Sequence, residues 1–297
     1  MPPAPPNANP PLVSREELLE FERDLPAMPA SLARMVQLIN DLDADRGEIT
    51  VAISGDTAIS SHILRLANSV LFAQSGQVRE LGQAISVIGM THVKTVVLNR
   101  ASEIFQPGSL EYHRKVREHS LATGVAMLIA AERCGRRDGD QLFLYGLLHR
   151  LGQYVLLSHP ATRDHFPAVV EHIRARQVDC LTAEMQVLGV SHAWIGGMLA
   201  RRWNFPLDLV YVLLHYAEGG DGSDPAIDDI TNLVRFADLI ATASGHGVFE
   251  GHPVDQNQLF SLGRELNIFS DSRGSRLTEF LVELKEKWSA ALAVWPA

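Results

Sequence analysis

The amino-acid sequence predicts an all-α protein made of two packed helical subdomains. Aromatic residues make up only 7% of the 297 residues, whereas leucine, alanine, valine and isoleucine are abundant, and this balance favours helices over a β-sandwich. Apolar residues also recur at helical spacing in the run after Ser31, which contains Leu32, Met35, Val36, Ile39 and Leu42. No segment shows the alternation of a strand, and no internal repeat is evident.

The first subdomain is expected over residues 14–106, after a disordered, proline-rich leader at 1–13. The leader lacks the basic and apolar segments of a signal peptide. Local signals divide the subdomain into helices: a capping box at Ser14 and Glu17, a break at 25–29, an N-cap at Asp56 and a C-cap at Gly89.

The second subdomain is expected over residues 107–248, because Pro107 and Gly108 form the clearest internal break in the chain. A helical C-terminal extension follows at 249–297, and residues 14–248 together form one unit. The predicted helices of the second subdomain and the extension cover 112–133, 141–158, 160–176, 181–188, 193–203, 207–216, 226–244 and 275–292.

Composition limits the classes of function. The net charge is −9 and the pI about 5.7, so binding to nucleic acid, which needs clustered Lys and Arg, is not expected. The two cysteines, Cys134 and Cys180, form no CxxC motif and are typical of a reducing cytosol. No apolar run approaches the ~20 residues that span a bilayer. The sequence therefore predicts a cytoplasmic protein without membrane contact.

Five polar residues lie on or beside apolar helical stretches and are the candidate site residues: His119, His149, His192, His215 and Asp238. A single histidine in such a position is more often a hydrogen-bonded structural residue than a metal ligand. Imidazoles and a carboxylate from several helices are, however, the groups with which a metal-assisted hydrolase binds a cation and activates its water.

The order of these motifs resembles the HD-domain phosphohydrolases. The chain has a helical His119, a Gly-Leu-Leu-His segment ending at His149, and a later Ala-Asp pair ending at Asp238. The resemblance implies an HD-like helical bundle for the second subdomain. It also implies that the early His, a His-Asp pair and the distant Asp hold a metal, with His192 and His215 matching extra ligands of some nucleotide-cleaving relatives.

The chain departs from that pattern at Arg150, which stands where the family has the Asp of the His-Asp pair. A carboxylate is thus replaced by a guanidinium, a change of two charge units that disfavours a divalent ion. Gln153 likewise stands where active relatives often have Lys. If Arg150 instead extended away from the site, the four histidines and Asp238 could still hold one structural divalent metal. Arg150 could also bind an anion in the former metal cleft.

Four segments of the first subdomain resemble the HDOD family, whose members are HD relatives without the complete metal motif and occur in bacterial signalling. These segments are 25–29, 56–60, 64–69 and 81–90, and the resemblance runs from about residue 25 to 244. Asn68, in the third segment, is either a plain helix-end residue or one whose amide fixes the loop to the neighbouring subdomain.

The resemblance implies a non-catalytic regulatory module that acts by protein–protein contact in a signalling pathway, with a small ligand possible in the former cleft. No cofactor is expected beyond the single divalent metal. Arg201, Arg202 and Trp203 form a candidate anion or partner contact. The competing hypotheses are a residual metal-dependent phosphohydrolase or phosphodiesterase acting on nucleotides, and a nucleotide-sensing module.

Overall fold

The computed structural model describes residues 11–14, 16–17, 23–41, 44–69, 72, 77–102, 105, 111–220, 222–251, 253–269 and 275–294, and within these ranges it contains helices, turns and coil but no strand. The predicted all-α class is confirmed. The chain forms two compact units: a smaller one, 27–104 with 286–297, and a larger one, 1–26 with 105–285.

The division between the units lies close to the expected boundary at 106/107, but two further boundaries differ from the prediction. Residues 14–26 belong to the larger unit, and the C-terminal extension is divided at residue 286. Pro107 and Gly108 lie outside the described residues. The leader also ends earlier than expected: Leu12 N donates to Val187 O at 2.7 Å and Val13 is 3% exposed, so both residues are attached to the larger unit.

The smaller unit contains four helices, α1 (Ala30–Asn40), α2 (Arg46–Ser54), α3 (Thr57–Ala67) and α4 (Leu81–Ser102). Asp56 caps α3 as predicted, because its Oδ1 accepts from the amides of Ala58 and Ile59 at 2.9 and 3.1 Å. The apolar face of α3 then buries Ile59 and Ile63 against α4. Local capping and helical periodicity thus place these helices as the sequence indicates.

Helix α4 has a kink at Gly89, where φ is +79° and ψ is 161°. This conformation favours glycine, so the predicted stop at Gly89 is a change of helix direction. The stretch Leu81–Arg100 has a mean hydropathy of 1.3 over its most apolar window and meets the length and composition of a membrane span. The expectation that no such run exists is therefore wrong. In the described smaller unit, α4 packs against α1, α2 and α3.

Asn68 fixes the segment that leads into α4. Its side-chain Nδ2 donates to the carbonyls of Leu64 and Val78, and its Oδ1 accepts from the Val78 amide, each at 2.8 Å. The predicted amide hydrogen bonds are present, but they join two segments of the same unit. The expectation that Asn68 holds a neighbouring subdomain is therefore wrong.

We expect Asn68→Ala to lower the free energy of unfolding by about 1–3 kcal/mol, because the buried Val78 backbone would lose both partners. Urea denaturation of the two proteins would measure the difference. Gln77→Ala, at an exposed position beside the same segment, should change stability by less than about 0.5 kcal/mol. Equal effects of the two substitutions would contradict this role for Asn68.

The predicted capping box at Ser14 is present in the larger unit: the Ser14 amide donates to Glu17 Oε2 at 2.8 Å, and Glu17 N donates to Ser14 Oγ at 3.2 Å. The helices of this unit are α5 (Glu111–Arg133), α6 (Gly139–Leu148), α7 (Leu151–Ser158), α8 (Pro160–Arg163), α9 (Phe166–Arg176), α10 (Cys180–Leu188), α11 (His192–Arg202), α12 (Leu207–His215), α13 (Pro225–Ala241) and α14 (Gln256–Glu265). A π-helical turn, Thr242–His246, follows α13, and α15 (Ser275–Val294) ends the described chain.

The single helices predicted over 141–158 and 160–176 are each two helices, and α14 was not predicted. The first break lies at His149 and Arg150, where Arg150 has φ −101° and ψ 23°. Both side chains turn into the core there, and each is no more than 1% exposed. The second break separates α8 from α9 at Asp164 and His165. Apolar residues flank the first break on both sides, so periodicity could not locate it.

Two pairs of glycines bring helix backbones of the larger unit close together. A Cβ on Gly146 would lie 2.8 Å from Gly124 Cα, so α5 and α6 meet there without side chains. A Cβ on Gly152 would lie 2.0 Å from His192 O and 2.4 Å from Gly196 N, so α7 and α11 meet in the same way. These close approaches hold the turn between α6 and α7 in the core of the unit.

Candidate functional site

A cluster of buried polar groups lies at the turn between α6 and α7. His119 from α5, His149 from the turn and Asp238 from α13 place three ligand-type atoms within 4.8 Å of one another. Asp238 Oδ1 lies 2.9 Å from His119 Nε2 and 3.1 Å from His149 Nε2. The two Nε2 atoms are 3.3 Å apart. The structure thus brings together three of the five candidate residues.

Backbone carbonyls fix the orientation of both imidazoles. His119 Nδ1 is 2.8 Å from His246 O, and His149 Nδ1 is 2.6 Å from Gly146 O. Because a carbonyl only accepts, each Nδ1 carries the proton and donates, and each Nε2 is directed at Asp238. Histidine ligands of metals are commonly held in this way by a hydrogen bond from the second ring nitrogen.

Arg150 reaches into this cluster. Its Nη2 donates to Asp238 Oδ1 at 2.8 Å, its Nε donates to His149 Nε2 at 3.2 Å, and its Nη1 donates to Gln153 Oε1 at 3.2 Å. The side chain is 1% exposed. The hypothesis that Arg150 extends away from the site is therefore wrong. In this structure the anionic group that Arg150 meets is the Asp238 carboxylate.

Burial and the guanidinium together set the protonation of the cluster. Burial, then the charge of Arg150, lowers the pKa of His119 to about 3, and burial likewise lowers the pKa of His149. Burial acts to raise the pKa of Asp238, but the charge of Arg150 is the largest effect that lowers it, and that pKa lies well below its ordinary value. The cluster therefore combines two neutral imidazoles with a carboxylate–guanidinium ion pair.

The arrangement does not fit a metal ion while Arg150 keeps this position. An ion about 2.1 Å from Asp238 Oδ1 could be no more than about 4.9 Å from Arg150 Nη2, which is itself 2.8 Å from that oxygen. At an effective dielectric of 20, a divalent ion and a guanidinium at that distance repel by about 7 kcal/mol. That is a large part of the ~10–16 kcal/mol with which complete zinc sites bind, and the described residues supply only three ligand-type atoms here.

His192 and His215 are not part of the cluster in the described structure. His192 Nδ1 lies 2.6 Å from Glu184 Oε2, and its Nε2 lies 2.5 Å from the Tyr216 hydroxyl. The ring of His215 instead packs against Tyr211, with ring centroids 4.5 Å apart. The five-ligand metal site considered from the sequence is therefore not formed, because two of its histidines have other partners or positions.

A second ligand-type group, Cys180, Glu184 and His192, is fully buried. Glu184 Oε1 accepts from Gln153 Nε2 at 3.0 Å and from Cys180 Sγ at 3.4 Å. Its Oε2 accepts from the amide and Nδ1 of His192 at 2.8 and 2.6 Å. Each carboxylate oxygen thus already accepts two hydrogen bonds, and the group forms a satisfied hydrogen-bond network.

The proposed partner contact at Arg201, Arg202 and Trp203 is only partly at the surface. Both arginines are exposed, but Trp203 is 4% exposed. Its Nε1 donates to Pro26 O at 3.0 Å, and its ring stacks on Phe105 with centroids 5.8 Å apart. The expectation that Trp203 contacts a partner is wrong, because the indole is buried in the larger unit.

A cavity of about 370 Å³ adjoins the cluster. It shares His246 with the cluster, since the His246 carbonyl accepts from His119. Its lining comes from α5, the π-helical turn and the segment after it: Lys115, Glu118, Thr242, Gly245, His246, Gly247, Phe249, Glu250 and Gly251. The cavity therefore lies beside the turn whose carbonyl orients His119.

The sequence matches the HDOD domain model over residues 25–218. This chain belongs to the HDOD family. The matched range contains His119, His149 and Arg150, whereas Asp238 lies beyond it. The assignment confirms the resemblance inferred from the signature segments of the first half of the chain.

Relatives of this HDOD protein share its fold. An HDOD domain protein of unknown function from Geobacter sulfurreducens has a TM-score of 0.72 at 23% identity, covering 96% of this chain and all of that one. A protein from Shewanella amazonensis SB2B, provisionally described as a phosphohydrolase, has a TM-score of 0.69 at 21% identity over 93% of this chain and 96% of its own. Such low identities show the fold alone.

A curated relative, an uncharacterized protein of Treponema pallidum (strain Nichols), is 25% identical over 188 residues. The match covers 62% of this HDOD chain but only 36% of the relative. The chain therefore spans about a third of the length of that relative.

Three residues of the buried network were not recognised from the sequence: Glu184, Tyr216 and His246. Each contacts a histidine on another helix, and His246 does so through its backbone carbonyl. A polar residue in an apolar helix, as Glu184 is in α10, was the one local signal available. Tyr216 and His246 gave none, because aromatic residues and backbone carbonyls occur in every helical core.

Proposed function

We propose that this HDOD protein is a non-catalytic signalling module that acts through contacts with other proteins. The observation that carries the proposal is the Arg150 guanidinium, which is buried and donates to Asp238 and His149. Arg150 stands at the sequence position where an HD phosphohydrolase has the Asp that holds the metal ion. Without the ion, the site lacks the Lewis acid and the activated water on which that hydrolysis depends.

Three further observations support the proposal. The net charge of −9 disfavours nucleic acid and leaves proteins as the better class of partner. A structural relative from Marinobacter aquaeolei VT8, with a TM-score of 0.65 at 20% identity, is provisionally described as a signal transduction protein. The two cysteines, one half-buried and one buried, form no disulfide, which suits the bacterial cytoplasm.

In this proposal the cavity beside His246 takes a small ligand that modulates the protein contact. The cavity is lined by both charged and backbone polar groups, including Lys115, Glu118 and Glu250. A ligand there would contact the turn whose carbonyl orients His119. In this proposal the former cleft binds a regulatory ligand and no longer catalyses hydrolysis.

Metal analysis combined with a nucleotide-hydrolysis panel tests the proposal. We expect the purified protein to contain no stoichiometric iron, manganese or zinc, and to hydrolyse none of the nucleotides even when Mn²⁺ is added. Arg150→Asp should gain Mn²⁺ binding measurable by calorimetry, because it removes the guanidinium and supplies a fourth ligand. Arg201→Asp, at an exposed position, makes the same change of charge and should bind no metal.

A residual phosphohydrolase would give a different pattern. Stoichiometric metal in the wild-type protein, with turnover lost in His149→Ala, would overturn the proposal. The comparison is needed because His119 and Asp238 still place two ligand-type atoms side by side: His119 Nε2 lies 2.9 Å from Asp238 Oδ1. Arg150 donates to neither nitrogen of His119. A protein that stays metal-free and inactive would support the proposal.

A further inference from the structure

The guanidinium of Arg150 is one member of a closed ring of contacting polar side chains. The ring begins at Gln153 in α7, continues through Glu184 in α10 and His192 in α11, and reaches Tyr216 directly after α12. It closes on His149, because the Tyr216 ring meets the His149 ring edge-on with centroids 5.1 Å apart. The side chains of Gln153, Glu184 and His192 are fully buried.

Gln153 is one neighbour of Arg150 in this ring. Its Oε1 accepts from Arg150 Nη1 at 3.2 Å, and its Nε2 donates to Glu184 Oε1 at 3.0 Å and to Cys180 Sγ at 3.3 Å. A carboxylate such as Glu184 only accepts, so it holds the amine end of the amide and leaves the carbonyl end facing Arg150. The orientation of Gln153 is therefore determined from both sides.

Glu184 is itself held in place by α11. The amide and Nδ1 of His192 both donate to its Oε2, and the Tyr216 hydroxyl contacts the other nitrogen of that imidazole at 2.5 Å. A continuous series of contacts thus runs from Tyr216 through His192 and Glu184 to Gln153, and it fixes the orientation of the Gln153 amide. Each guanidinium nitrogen donates to an acceptor on a different residue: Nη2 to Asp238, Nε to His149 and Nη1 to Gln153.

We propose that Gln153, Glu184 and Tyr216 are positioning residues that build a guanidinium-shaped cage, and that the cage selects arginine over lysine at position 150. This inference rests on the proposed function, because it explains how the cation that replaces the metal is held. A planar guanidinium presents donors in a fixed fork that matches three separate acceptors. An ammonium is a single point and cannot reach all three.

Chemical rescue tests the cage. In Arg150→Ala, ethylguanidinium has the atoms that complete the missing side chain, and we expect it to raise the Tm in a saturable manner. Propylammonium, with the same charge and similar length, should bind at least tenfold more weakly. Wild-type protein measured with both cations corrects for their general effect on stability. Equal rescue by the two cations, or no rescue by either, would overturn the inference.

The second arm tests whether Gln153 positions the cation. In the double variant Arg150→Ala/Gln153→Leu, we expect rescue by ethylguanidinium to be at least tenfold weaker than in Arg150→Ala. A double variant with a change outside the cage, Arg150→Ala/Gln77→Leu, should be rescued like Arg150→Ala. Rescue that is unchanged by Gln153→Leu would show that the amide does not position the cation.

If Arg150→Ala does not fold, Arg150→Lys and Arg150→Met decide the question. The cage predicts that lysine is no more stabilising than methionine, measured as Tm in the otherwise unchanged protein. A lysine variant with the wild-type Tm would overturn it. Failure of the cage is distinguishable from failure of the proposed function, because metal content and nucleotide turnover of the wild-type protein report on the latter alone.

Discussion

Replacing Arg150 with methionine is expected to lower the free energy of unfolding by about 3–5 kcal/mol, the range for removing one partner of a buried ion pair. The substitution leaves the Asp238 carboxylate, whose side chain is 14% exposed, facing two neutral imidazoles without a cation. Urea denaturation followed by circular dichroism would measure the change. Because methionine fills much of the same volume, the loss would report on charge more than on packing.

Two controls separate the ion pair from a general effect of removing an arginine. Arg201→Met, at an exposed position, should change stability by less than about 0.5 kcal/mol. The double variant Arg150→Met/Asp238→Asn should recover part of the loss, since the uncompensated charge is then also absent. A loss below about 1 kcal/mol in Arg150→Met would mean that the pair contributes little to the fold.

The second large effect is expected at the crossing of α7 and α11. Gly152→Ala would place a Cβ 2.0 Å from His192 O and 2.4 Å from Gly196 N, both backbone atoms. Neither can move without separating the helices, so we expect a loss of about 3 kcal/mol or more, at the upper end for overpacked cores. The measurement is again the urea midpoint, with the slope checked for a change in the unfolding transition.

Gly82→Ala in α4 provides the matched control. A Cβ at that exposed position meets nothing within 4 Å, and alanine favours the helix, so stability should stay level or rise by up to about 1 kcal/mol. If Gly152→Ala cost no more than Gly82→Ala, the close approach of α7 and α11 would not be a constraint. That crossing also joins Arg150, just before α7, to His192 at the start of α11.

The helices were predictable because their signals are local. Asp56 caps α3 through amides two and three residues ahead, and Ser14 and Glu17 cap each other across three residues. Both partners of such an interaction lie within a few residues of each other, so the sequence alone indicates it. The family's motif order likewise pointed to His119, His149 and Asp238, which the structure brings together.

The parts that were not predictable depend on distant partners. Trp203 looked like a surface residue beside two arginines, but its indole donates to Pro26, 177 residues away. Arg150 could have pointed in either direction, because nothing near it in sequence distinguishes a buried guanidinium from an exposed one. Only the position of Asp238, 88 residues further along, decides between them.

In the ion pair of Arg150 and Asp238, the positive charge that faces the carboxylate belongs to the protein chain itself. A metal ion must be acquired from the surroundings after translation, competes with other ions for its site, and can be withdrawn by a chelator. A guanidinium is synthesised with the chain, is present once in every copy, and keeps its proton at any physiological pH. If the core is metal-free, as proposed above, its assembly would be independent of the availability of metals in the cell.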